Sequence, residues 1–355
     1  MKKISVIIPG YNVENYIDRC IETVIGQTIG LEQIEILLVN DASQDQTLRV
    51  MLAWEEKYPE NVMVINCEEN NGCGGARNVG LQYASGEYVV FVDADDWLEK
   101  DALEELYRHS AQESYDIVTG KMIFDRKDAE SNMQEIHQYE AAHRSDFSYQ
   151  AGKVDGIYVW EQRAIREGNI GGMPTSVGAL YRRSLILENQ LFFPEKVDYE
   201  DNYWRDTLKI YFSGMYIVDK VIYHYCYNEE SITQKRNSIR IEDRLFMELN
   251  ILENYKKNGA FDHYKEDLEY NFIRRFYLNT VFVLFTNYDY IPDIINYLRK
   301  TVLRLFPDYK KNYIMERANE REKCLIRWLE REEDLTMEEL QEFKQKYLQM
   351  LYEER

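Results

Sequence analysis

The sequence predicts an α/β fold, a mostly parallel sheet flanked by helices, with an α-helical C-terminal region after it. Two observations predict it. Over the first ~120 residues, short β-rich runs alternate with segments whose apolar residues recur at helical spacing, the signature of βαβ units. Beyond residue 239 the chain turns strongly helical, with apolar stripes opposite charged faces.

In chain order, the strands fall at 4–8, 34–39, 62–66 and 88–92. Between them, 13–27 carries apolar residues at helical spacing, 45–57 opens on Asp45 as a cap, and 74–84 reads as a third helix. A helix over 101–114 leads to a short strand at 117–119. From 124 to 193 the pattern is weakly periodic and glycine-containing; it receives no elements and leaves room for acceptor loops. Apolar stripes return at 245–255, 268–285 and 291–306, and the last helix opens on Thr336 and Glu339 in capping-box spacing. The alternating charges of 316–333 read as a solvated helix face. The expected division is 1–235 and 236–355.

With 45% hydrophobic and 30% charged residues and only six prolines, the chain is globular and neither disordered nor fibrous. A formal charge of -20 argues against nucleic acid or an anionic lipid surface as partner, since both want a basic field; it suits a site that holds a divalent cation. The five cysteines, Cys20, Cys67, Cys73, Cys226 and Cys324, are odd in number and lack CxxC pairing, so neither a disulfide framework nor a zinc site is expected. The apolar run after Lys2 and Lys3 is too short for a signal peptide, and no run approaches the ~20 residues of a transmembrane segment. The expectation is a cytoplasmic protein, with room for peripheral attachment at the inner face of the membrane. The tyrosine-rich helical tail offers surface for a homo-oligomer as readily as for its own core.

In an open α/β sheet, ligands bind at the carboxyl ends of the strands. Those ends read Pro9-Gly10-Tyr11-Asn12, Asn40-Asp41-Ala42-Ser43, Asn70-Asn71-Gly72 and Asp93-Ala94-Asp95-Asp96. The three aspartates follow an apolar strand and would repel one another without a cation, and hard oxygen ligands suit Mg²⁺ or Mn²⁺. An ion held by few carboxylates completes its shell with water and phosphate, so a diphosphate is the natural ligand; the alternative is a turn that caps a helix beginning near Leu98. Asp41 can accept hydrogen bonds from a base or ribose, or cap a turn. Tyr11 can stack on a base or be an ordinary loop tyrosine. Gly72-Cys73-Gly74-Gly75-Ala76-Arg77 reads GxGxxR after the third strand, which disfavours a dinucleotide fingerprint. It points instead to a close backbone approach at a helix start, with Arg77 free to neutralise a phosphate or orient Asp93.

Taken together, Ser5-Val6-Ile7-Ile8-Pro9-Gly10-Tyr11-Asn12, Val39-Asn40-Asp41-Ala42-Ser43, Ala76-Arg77-Asn78-Val79-Gly80 and Asp93-Ala94-Asp95-Asp96 resemble glycosyltransferase family 2. The resemblance is strong over about the first 120 residues and continues through Leu180-Tyr181-Arg182-Arg183, Tyr199-Glu200-Asp201 and Ser231-Ile232-Thr233. It implies a GT-A fold that binds a nucleotide-sugar donor, most often a UDP sugar. Residues 1–235 would form the catalytic domain, and 236–355 would serve an acceptor, partner or packing role. It places Pro9, Tyr11, Asn12 and Asp41 around the base and Asp93 near the ribose, with Asp95 as principal ligand of Mn²⁺ or Mg²⁺ alongside Asp93. Glu200 and Asp201 resemble the family's acidic pair, with Asp201 as base toward a glycan or lipid-linked glycan acceptor and inversion at the anomeric carbon. Asn40 departs from the family's second aspartate, and Tyr223-His224-Tyr225-Cys226 departs from tyrosines followed by arginine. His224 is a candidate third metal ligand or phosphate contact, or a strand histidine satisfied by its neighbours. Trp204 is a pocket-lining or a core tryptophan. A catalytically silent nucleotide-sugar-binding scaffold is the alternative from another class. A nucleotidyltransferase is disfavoured, because Pro9-Gly10-Tyr11-Asn12 is no glycine-rich basic triphosphate loop.

Overall fold

The structure, a computed structural model, describes residues 2–113, 115–126, 152–155, 176–227, 240–288, 292–331 and 333–353. They fall into two compact units, Met1–Ser231 and Ile232–Arg355.

The first unit is built on one sheet. Strands β1 (Ile4–Gly10), β2 (Ile34–Asn40), β3 (Val62–Asn66) and β4 (Tyr88–Phe91) pair in parallel in the order β3-β2-β1-β4. β1 is central to this half and buried at every position, which its apolar run, broken only by Ser5, satisfies. Helices α1 (Ile17–Ile25), α2 (Thr47–Lys57), α3 (Gly72–Tyr83) and α4 (Ala102–Glu113) follow the strands. The four strand assignments and the parallel pairing agree with the sequence reading; Asp45 accepts the Thr47 N–H at 2.9 Å, so it does hold the start of α2.

The other half of the sheet is mixed. β5 (Trp97–Leu98), β6 (Ile117–Arg126), β7 (Gly152–Asp155), β8 (Ala179–Arg182) and β9 (Gly214–Tyr227) extend the order past β4 as β8-β6-β9-β5, with β7 also on β9. β8 lies antiparallel to β4 and β6, whereas β6 and β9 are parallel. Two short helices, α5 (Arg183–Glu188) and α6 (Glu200–Leu208), complete the unit. The strand expected at 117–119 is therefore the start of a ten-residue one. Most of the segment left without elements at 124–193 lies outside the described residues.

The second unit is helical, as the stripes predict. α7 (Ile241–Lys257), α8 (Ala260–His263) and α9 (Lys265–Phe272) lead through a π-helical turn, Ile273–Leu278, into α10 (Asn279–Asn287). In that wide turn the Arg275 carbonyl accepts from the Thr280 hydroxyl at 3.2 Å, and the Arg275 guanidinium is buried against Glu248 at 2.8 Å. α11 (Pro292–Leu305), α12 (Glu320–Leu329) and α13 (Met337–Glu353) follow. The predicted cap is present, since Glu339 accepts the Thr336 N–H at 2.9 Å and Thr336 Oγ1 accepts the Glu339 N–H at 3.4 Å.

Candidate functional site

The turn after β4 carries three aspartates that do three different things. Asp96 N–H donates to the Asp93 carbonyl at 3.0 Å and closes the turn. Its own carboxylate is 1% exposed and points inward, accepting the Tyr223 hydroxyl (2.5 Å) and the Cys226 N–H (2.8 Å). Burial, then the charges of Asp93 and Asp95, push its pKa well up. Tyr223 Oη also accepts the Asp93 N–H at 3.1 Å, so Asp96 and Tyr223 clamp β9 to the turn. Asp93 instead faces Arg77. Asp95 is half-buried, and among the described residues no other side chain bonds its carboxylate.

Burial, then the neighbouring Asp93 charge, raises the Asp95 pKa to about 6. A carboxyl that holds its proton more tightly folded than unfolded makes stability fall as pH rises, here from the unfolded value of ~3.9 up to about 6. In metal-free buffer, Asp95→Asn is thus expected to be more stable than wild type at pH 7, with the gap closing toward pH 4. Urea unfolding at both pH values checks it; an asparagine variant that is less stable at pH 7 would show the charge to be compensated.

Helix α1 holds this turn from outside. Its buried face, Ile17, Cys20, Ile21 and Val24, packs into the core. The adjoining stripe reaches the loop: Arg19 Nη2 donates to the Asp95 carbonyl (2.9 Å) and Cys20 Sγ to the Asp93 carbonyl (3.6 Å). One and two turns on, Thr23 Oγ1 accepts the Leu98 N–H (3.2 Å) and Gln27 Nε2 donates to the Glu99 carbonyl (2.7 Å). These are side chains of α1 and of Gln27 just past its end, bonded to the main chain of one segment.

Arg77 sits in α3, 3% exposed. Its guanidinium lies 2.8 Å from Asp93 Oδ1 and 2.9 Å from Glu200 Oε1, and 5.2 Å over the Phe193 ring. Of the two uses expected for it, orienting Asp93 is the one observed, and Glu200 is a partner the sequence did not offer. The close backbone approach at the start of α3 is made by the chain itself: a Cβ on Gly74 would lie 2.3 Å from the Pro194 carbonyl oxygen. Lys196 N–H donates to the Asn71 carbonyl (2.9 Å), while the Asn78 amide and the Phe193 backbone exchange two bonds of 2.8 Å. Gly74→Ala is expected to push this segment away and to destabilise the first unit by about 1–3 kcal/mol, read from the urea midpoint.

That segment delivers α6. Tyr199, left-handed at φ 67, turns the chain so that Glu200 and Asp201 form the first helical turn. Burial raises the Glu200 pKa, against the opposing pull of Arg77. Among the described residues no hydrogen bond or ion pair engages the Asp201 carboxylate.

The loops after β1 and β2 support each other. Asn12, at φ 55, donates its N–H to Ser43 Oγ (3.1 Å) and accepts the Gln44 N–H (2.8 Å). Pro9 is buried within β1, and Tyr11 is 47% exposed. Asp41, 2% exposed, accepts the Asn71 N–H at 2.8 Å, and burial raises its pKa; it holds the turn into α3.

One expectation is corrected. His224 is committed elsewhere: its imidazole stacks on Trp97 (centroids 3.4 Å) and Nε2 lies 2.8 Å from Glu99 Oε1. Successive strand residues face opposite ways, so β9 cannot aim both Tyr223 and His224 at the aspartates. Among the described residues no group of three or more His, Cys, Asp and Glu is placed to hold a metal; the carboxylates at hand are Asp95 and Asp93. Trp204 is core, 1% exposed, stacked on Phe193 with Nε1 bonded to the Leu191 carbonyl at 2.9 Å. Tyr223, Asn71 and Arg19 are site residues that the sequence reading missed. For Tyr223 the alternation of Tyr223, His224 and Tyr225 along a strand was the available signal.

Glycosyl transferase family 2 matches the chain over residues 5–188, just over half of it. EpsH of Bacillus subtilis (strain 168) is 29% identical over 270 residues, covering 75% of this chain and 73% of EpsH. Glycosyltransferase GlyA of Streptococcus pneumoniae serotype 4 is 31% identical over 233 residues, covering 65% of this chain but only 32% of GlyA. A crystal structure of Staphylococcus aureus TarS 1–349 in complex with UDP-GlcNAc superimposes with a TM-score of 0.71 at 22% identity, over 96% of this chain and 89% of that one. The match in sequence, the shared fold and the strand-end carboxylates converge, and the chain belongs to glycosyl transferase family 2.

Proposed function

We propose that the chain moves a sugar from a nucleoside-diphosphate sugar, a UDP sugar, to a hydroxyl of a glycan or lipid-linked glycan in surface-polysaccharide synthesis, with inversion at the anomeric carbon. The observation that carries this reading is Arg77, which ties Asp93 at the end of β4 to Glu200 at the start of α6 within 2.9 Å on each side. One buried cation thereby fixes the donor-side carboxylate and the acidic pair in one cluster. The TarS complex with UDP-GlcNAc, on the same fold, supports the choice of donor.

In this reading residues 1–235 are the catalytic domain, and 236–355 have an acceptor, partner or packing role. Pro9, Tyr11, Asn12 and Asp41 border the base and Asp93 the ribose. Asp95, with Asp93 beside it, fits Mn²⁺ or Mg²⁺: burial and the like charge of Asp93 raise its pKa to about 6, and no side chain among the described residues pairs with its carboxylate. The chemistry such an ion supplies is neutralisation of the diphosphate charge. Arg77 keeps Glu200 in place, which leaves Asp201 to take the proton of the acceptor hydroxyl as its oxygen attacks. No described helix is long and apolar enough to cross a membrane, and the working location proposed is the cytoplasm, peripheral to the inner membrane face.

A panel of nucleotide sugars, each with Mn²⁺, Mg²⁺ or chelator, tests the reading through donor hydrolysis and transfer. Turnover with a UDP sugar that chelator abolishes is the expected result. Binding without turnover for every donor and glycan acceptor would favour a silent scaffold.

A further inference from the structure

A single hydroxyl fastens the aspartate turn at both ends. Tyr223, 0% exposed on β9, accepts the N–H of Asp93, the first residue of the turn, at 3.1 Å and donates to Oδ2 of Asp96, the last, at 2.5 Å. The turn closes on itself through the Asp96 N–H and the Asp93 carbonyl at 3.0 Å, and Asp96 Oδ1 takes the Cys226 N–H at 2.8 Å. Of the two residues between, Ala94 is 3% exposed and Asp95 is half-buried. The fastening therefore leaves the Asp95 carboxylate as the group the turn presents, with the Asp93 carboxylate held by Arg77 beside it. A hydroxyl can give one proton and receive another, and here both capacities are spent on one turn. Phenylalanine would fill the same space but strand the Asp93 N–H and one Asp96 oxygen beside a buried ring. The strands flanking the turn do not need this hydroxyl: β4 leads in, paired with β1 and β8, and β5 leads out, paired with β9 through Trp97 on His224 and Leu98 on Tyr223.

We propose that Tyr223 is a positioning residue whose hydroxyl sets the turn so that Asp95, with Asp93, meets the divalent ion of the proposed donor site. Mg²⁺ demands a near-octahedral shell, and any ion binds only as well as its carboxylates are held in place. Tyr223 is buried and acts only through the turn. What it governs is the affinity for the ion, and through the ion the hold on the diphosphate. The nucleoside end, at Asp41 and Asn71, is built on β2 and α3 and does not depend on it.

This inference rests on the proposed ion site, and binding to the full chain separates the two. Free Mn²⁺ is followed by electron paramagnetic resonance as it is titrated, with UDP present, into wild type, Tyr223→Phe and Ile186→Val. UDP is also titrated by calorimetry with chelator in place of the ion. Tyr223→Phe is expected to weaken Mn²⁺ about 10–100-fold while UDP under chelator stays within about twofold of wild type. Ile186→Val trims the core at α5, which follows the end of β8 that pairs with Tyr88 at the far end of β4. It costs stability without touching the turn, so its Mn²⁺ affinity should be that of wild type. Equal Mn²⁺ affinity in wild type and Tyr223→Phe overturns the inference alone, and so does a loss of UDP under chelator as large as the loss of Mn²⁺. An equal Mn²⁺ loss in Ile186→Val, or a Tyr223→Phe chain that does not fold, also overturns it, since the hydroxyl would then serve stability only. If wild type with UDP binds no Mn²⁺, the ion reading itself falls and takes this inference with it.

Discussion

Asp201→Asn is expected to lower the transfer rate by about 10²–10⁴-fold while donor affinity stays at the wild-type value. Asparagine keeps the shape of the side chain and removes the proton acceptor. The expectation rests on a division of labour inside one helical turn. Glu200 is tied to Arg77 at 2.9 Å, whereas Asp201 has no bonded partner among the described residues. Initial rates with saturating donor, alongside donor titration, measure both quantities. Full transfer by Asp201→Asn, with loss in Glu200→Gln at unchanged donor affinity, would reverse the two roles.

Arg77→Met is expected to cost the first unit about 3–5 kcal/mol, the largest stability effect of any single change considered. Methionine preserves much of the stem that runs past Phe193 but leaves Asp93 and Glu200 facing the same space with no cation between them. Their side chains are 29% and 13% exposed, so water does little to screen Glu200 in particular. The double variant Arg77→Met with Glu200→Gln should recover part of the loss, because one stranded charge is removed. Urea unfolding of wild type, the single and the double variant decides it; losses that simply add would mean that packing, and not the ion pair, is what Arg77 provides.

The parallel half of the sheet was legible because buried strands announce themselves as short apolar runs, and because a parallel sheet gathers its working residues at one edge. Asp93, Asp95 and Asp41 were therefore found from strand ends alone. Other features were hidden for specific reasons. β9 mixes tyrosine, histidine and cysteine, so neither its length nor its faces could be read, and the two readings of His224 stayed open. Gly74 of α3 answers to Pro194, more than a hundred residues away, and no local pattern encodes that contact. Arg19 looks like any charged residue on the wet side of an amphipathic helix; only the fold shows that this side borders the aspartates.

The way α1 and Gln27 beyond its end grip this loop also bears on how such a site can change. Arg19, Cys20 and Gln27 hold carbonyl oxygens of residues 95, 93 and 99, and a carbonyl is the same whatever side chain it accompanies. In the proposed reading of Asp95 as an ion ligand, a point substitution at position 95 alters what the site can ligate without releasing the fastening that shapes it. Ion preference could thus be retuned by ordinary genetic drift, one replacement at a time, with no intermediate that loses the loop.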